Sequence, residues 1–60
     1  MFKVAFRTDN AAFDGDMYTE EVAAILRKLA DRLEGMGAAD ATGNLTDTNG
    51  NVVGTWTGSR

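Results

Sequence analysis

The residues here that could do chemistry are nine carboxylates and a scatter of asparagines. Counted from Asn10, the residues Asp14, Gly15 and Glu21 take the fifth, sixth and twelfth places of a calcium-binding loop. The first and third places, however, hold Asn10 and Ala12, where oxygens of charged ligands should converge on one ion. Counted from Asp47, the residues Asn49 and Asn51 also fall into place. Val52 then stands where the turn needs glycine, and Gly58 stands where an acidic residue should close the site. The two stretches therefore read as a loop and a hairpin, and no metal is expected.

Other chemistries find little support. Histidine and cysteine are both absent. That removes the usual general base near neutral pH, the thiolate nucleophile and the common zinc ligands. The lone serine, Ser59, has no histidine to activate it. The Gly35-Met36-Gly37 run follows a helical pattern instead of opening one, so it does not read as a phosphate cradle. Paired carboxylates act as acid and base only where a cleft pushes their pKa values apart. A chain this short is not expected to build one. The expectation is a protein that is not an enzyme and holds no cofactor.

Two aromatic residues and two neighbouring carboxylates are the candidates for contact with a partner: Phe13, Asp14, Asp16 and Trp56. Phe13 lies in a polar stretch and either folds back beneath the helix or stands out as an anchor. Trp56 is either the largest residue of a thin core or an exposed ring on which a base could stack.

These residues are carried by a short series of elements. Residues 2–7 alternate, with Phe2, Val4 and Phe6 on one side and Lys3, Ala5 and Arg7 on the other, which predicts a half-buried strand. Thr8-Asp9-Asn10 ends it with turn formers, and a loop runs on to Asp16. Over residues 17–34, Tyr18, Val22, Ile25, Leu26, Leu29 and Leu33 form one helical stripe. Asp16 or Thr19 can cap its start and Gly35 its end. Residues 35–43 are small and read as a linker within the domain. Asn49-Gly50 between two β-prone runs signals a hairpin.

The hairpin has two possible registers. A two-residue turn sets Leu45 opposite Gly54. A three-residue turn with Gly50 left-handed pairs Asp47 with Asn51 and sets Leu45 opposite Val53. The second is preferred, with a bulge at Gly54 to bring Trp56 to the same face. The expected fold is α+β, ordered β-α-β-β. One helix packs on one face of a small three-stranded antiparallel sheet whose central strand is the last. Residues 1–60 form one domain, with 57–60 a flexible tail. The core is Phe2, Val4, Phe6, Val22, Ile25, Leu26, Leu29, Leu33, Leu45, Val53 and Trp56, closed at its ends by Phe13, Tyr18 and Met36.

The 60 residues carry a net charge of −3, which disfavours direct binding to nucleic acid. No apolar run approaches the roughly 20 residues that span a bilayer, and no membrane partner is expected. No secretion signal is read, so the expected compartment is the cytoplasm. Small cores without disulfide or metal commonly gain support from a partner subunit, and one sheet face and an edge are left open. A two-fold homodimer is therefore expected, through an edge or through the helix.

The runs Thr8-Asp9-Asn10-Ala11-Ala12-Phe13, Ile25-Leu26-Arg27-Lys28-Leu29-Ala30-Asp31-Arg32-Leu33-Glu34, and Asp47 with Asn49-Gly50-Asn51 and Val53-Gly54-Thr55-Trp56 follow one another in order. With Glu21-Val22-Ala23 between the first two, they resemble a group of short proteins carried by bacteriophages, prophages and plasmids. The resemblance covers most of the chain and brings no catalytic residue with it. It implies a bacterial host cell. It also implies action by binding, as a host-defence inhibitor or as a protein that redirects host enzymes.

Overall fold

A computed structural model describes residues 1–37 and 40–59. The elements run β1 (Phe2–Phe6), a 3₁₀ turn at Ala11–Phe13, a second at Gly15–Met17, α1 (Tyr18–Met36), β2 (Ala41–Thr46) and β3 (Val52–Gly58). The sheet is antiparallel with order β1-β3-β2, so the last strand is central, as expected.

Several boundaries differ from the sequence reading. The helix runs on through Gly35 and Met36, and its left-handed cap is Gly37, at φ 64°. Most of the expected linker is thus helix at one end and β2 at the other; Ala38 and Ala39 lie outside the described residues. Neither Asp16 nor Thr19 caps the start of α1. The second 3₁₀ turn feeds straight into the helix through Met17, which has helical dihedrals. The expected tail is shorter as well. Thr57 and Gly58 belong to β3 opposite Lys3 and Phe2, and the Ser59 N–H donates to the Met1 carbonyl at 3.0 Å. Arg60 lies outside the described residues.

The turn has three residues. The Asp47 N–H donates to the Asn51 carbonyl at 3.0 Å, and Gly50 stands at φ 84°. The bulge, however, falls one residue earlier than expected. Thr46 pairs with Val52 and Leu45 with Gly54, so Val53 is the extra residue. Gly54 explains the shift. A Cβ there would lie 2.1 Å from the Ala5 carbonyl oxygen and 2.5 Å from the Phe6 Cα, so only glycine lets β1 and β3 close up. The bulge leaves Val53 and Trp56 buried together.

The core is Phe13, Ile25, Leu29, Leu45, Val53 and Trp56, with Val4, Phe6, Val22 and Leu33 packed against it. Four residues assigned to the core or its ends stay well exposed: Phe2, Tyr18, Leu26 and Met36. The helix leans toward β2. Ile25 and Leu29 form a shallow groove with Leu45, and Arg32 Nη1 donates to the Asn44 carbonyl at 3.1 Å. One 19-residue helix cannot cover three strands evenly, and its far flank and β1 are left half open.

Candidate interaction surface

Three segments distant in sequence meet at one end of the molecule: the loop after β1, the start of α1 and the β2–β3 turn. Asp47 joins them. It is only 2% exposed, yet each carboxylate oxygen has donors. The N–H groups of Asn49 and Asn51 donate to Oδ1, both at 2.9 Å. The amides of Asn10 and Asn51 donate to Oδ2 at 2.7 and 3.3 Å. Burial pushes the Asp47 carboxyl up, but these donors favour the anion more, and the net shift is downward.

Asn10 has a second role. Its Oδ1 accepts from the Ala12 N–H at 3.0 Å and so starts the first 3₁₀ turn. That turn drives Phe13 inward, where its ring stacks near Phe6, with centroids 6.4 Å apart, and meets the edge of Tyr18. On the helix side, the Thr48 N–H donates to Glu21 Oε2 at 3.1 Å, and Glu21 is itself buried. Asn10 and Glu21 of one faint calcium-like run thus meet the turn that holds Asp47 of the other, but the two carboxylates accept from backbone and amide N–H groups. Among the described residues, no group of three or more Asp, Glu, His or Cys is placed to hold a metal ion.

The four candidate contact residues divide into two pairs. Phe13 is 3% exposed and Trp56 2%, so neither is available to a partner. Of the two readings given for each, the buried one holds and the contact reading does not: the loop folds Phe13 under the helix, and the bulge turns Trp56 into the core. Asp14 and Asp16 are exposed. Met17 and Tyr18, each about half exposed, stand directly after them, and exposed Glu20 follows. Neither Met17 nor Tyr18 was singled out by sequence reasoning; Tyr18 had been assigned to close the core.

The corner therefore exposes carboxylates next in sequence to Met17 and Tyr18, on a backbone tied by buried Phe13 and by Asn10. The exposed side chains of this stretch are acidic and partly apolar. No family model, no curated protein and no solved structure matches this chain.

Proposed function

We propose that this chain is a small phage-type accessory protein that acts without catalysis in the cytoplasm of a bacterial host, by covering the surface of a host protein. Inhibition of host defence or regulation of a host enzyme is the expected consequence. The supporting observation is the exposed corner of Asp14, Asp16, Met17, Tyr18 and Glu20, anchored by buried Phe13. A preformed patch loses little conformational freedom on binding, and aromatic and methionine side chains ringed by charge suit a protein interface. Net negative charge adds attraction to a basic partner.

The test is capture from host lysate on the immobilised chain, alongside an Asp14→Lys/Asp16→Lys variant of unchanged circular dichroism. One host protein should be retained by the native chain and lost by the variant. Equal retention by both rules out this surface.

A second reading is a homo-oligomer, structural or holding a small ligand between subunits. The open edge of β1 favours it. A ligand-dependent rise in melting temperature, without a host partner, separates it from the first.

A further inference from the structure

We infer that β1 is the two-fold interface of a homodimer, in which it pairs antiparallel with β1 of a second copy about Val4. This rests on the self-association reading above and names its surface. Two three-stranded sheets then become one sheet of six strands.

Backbone direction carries the inference. In an antiparallel pair, alternate residues exchange hydrogen bonds with the partner strand, and those between them point away. At the ends of β1, the Ser59 N–H donates to the Met1 carbonyl and the Arg7 N–H to the Val53 carbonyl, at 3.0 and 2.8 Å. Odd-numbered residues therefore serve β3. Phe2, Val4 and Phe6 turn their N–H and C=O groups to the open edge.

The same counting on β2 turns Thr42, Asn44 and Thr46 outward, because Gly54, Trp56 and Gly58 face Leu45, Gly43 and Ala41. That edge is blunted. Arg32 occupies the Asn44 carbonyl, and the helix leans over it. Among the described residues, β1 has no such cover.

The edge is self-complementary. A two-fold axis at Val4 sets Phe2 opposite the partner subunit's Phe6 and Val4 opposite the partner subunit's Val4. Every outward N–H on one strand meets an outward C=O on the other. Lys3 falls opposite the partner subunit's Ala5, so the two lysines do not directly oppose each other. A slip by one residue breaks the bonding and sets lysine against the apolar row.

Surface area points the same way. The chain exposes 4209 Å², against about 3,800 Å² for a compact monomer of its mass. Phe2 at 49% and Leu26 at 44% contribute to the excess. Glu21 and Arg32 fix one flank of α1 beside the β2 hairpin, which leaves Leu26 on the flank away from it. A second copy at β1 covers Phe2 and approaches that flank.

The chain is short enough for total synthesis, so the edge can be blocked without changing a side chain. Sedimentation equilibrium from micromolar to submillimolar concentration should show the native chain passing from one mass to twice that mass. N-methylation of Val4 removes an outward N–H and adds bulk at the axis, while the bonds to β3 remain with Lys3 and Ala5. It should weaken association at least tenfold with unchanged circular dichroism. N-methylation of Asn44, on the other edge, should leave association intact.

A native chain of one mass at every concentration overturns self-association itself. A dimer that survives N-methylation at Val4, or is split only at Asn44, leaves self-association standing and overturns the β1 interface. A further measurement needs no variant. Isotope-filtered NMR on a mixed labelled and unlabelled sample should show contacts between Phe2 of one copy and Phe6 of the other, and contacts between other elements alone overturn the assignment.

Discussion

Gly43 and Trp56 stand directly opposite each other on β2 and β3, and the indole lies across the glycine so closely that a Cβ there would be 2.6 Å from Nε1. The relationship recurs on this face of the sheet. Phe2 lies over Gly58, and Phe6 stands opposite Gly54. Gly43 and Gly58 make room for aromatic rings on the neighbouring strand, and Gly54 for the β1 backbone at Ala5 and Phe6. A sheet with few large residues thereby builds a core under a single helix, because rings spread over glycines bury area that two mid-sized side chains could not.

Gly43→Val should therefore destabilise the fold by about 1–3 kcal/mol through overpacking. The atom in the way is part of a ring only 2% exposed, so it has no free volume into which to move. Gly35→Ala is the contrasting change. Gly35 lies within α1 with open space around its Cα, and alanine there should stabilise by about 0.5–1 kcal/mol. Urea unfolding of both variants checks the pair; equal effects of one sign contradict the packing account.

Trp56→Ala should cost about 3–5 kcal/mol. That is most of the stability of a domain this small, and the variant should be largely unfolded at 25 °C. The native indole is 2% exposed and packed in the apolar core. Native tryptophan emission should be blue-shifted and resistant to acrylamide, and it should move to the red in one transition on unfolding. Red emission from the native chain excludes a buried Trp56.

Asp47 links the fold to pH. Its folded pKa lies below the ordinary value, so the unfolded chain holds the proton more tightly. The resulting stability is present above the ordinary aspartate pKa of about 3.9 and is lost as pH falls through the lower folded value. Melting temperature should be flat near neutrality and fall on acidification below that point. Asp47→Asn should melt lower at pH 7, by more than any exposed carboxylate replaced in the same way, and its acid limb should be shallower. An unchanged limb assigns the acid sensitivity to other groups.

The element order and the central place of β3 were legible, because period-two and helical stripes are separated by turn residues along the chain. The three-residue turn was legible from Gly50. Bulge position was not: Val53 and Gly54 are both tolerated in a strand, and only the approach of Ala5 from another strand decides between them. Nor was the exposure of Phe2 and Leu26. Periodicity assigns a face to a helix but not the direction in which that helix leans over a sheet. At the candidate surface, Asp14 and Asp16 were legible as loop residues, whereas the bond between Asn10 and Asp47 spans 37 positions. Polar contacts of that separation leave no local pattern; the hint was that both residues opened the faint calcium-like runs.

That bond yields the last prediction. Asn10 holds the loop in two ways, by capping Ala12 and by donating to Asp47 at 2.7 Å. Asn10→Ala removes both ties but leaves Asp14, Asp16, Met17 and Tyr18 in place. Loop backbone without such ties opens at small free-energy cost, while the helix behind it is held by its own hydrogen bonds and by Ile25 and Leu29. Amide exchange over residues 11–17 should rise on the order of tenfold, a loss of about 1.4 kcal/mol of local protection, with residues 22–33 nearly unchanged. If the corner binds because it is preformed, the variant should also release its host partner faster, although every contact residue is still present. Faster exchange with undiminished binding separates the two claims: the tie is real, but the partner does not use the surface it holds.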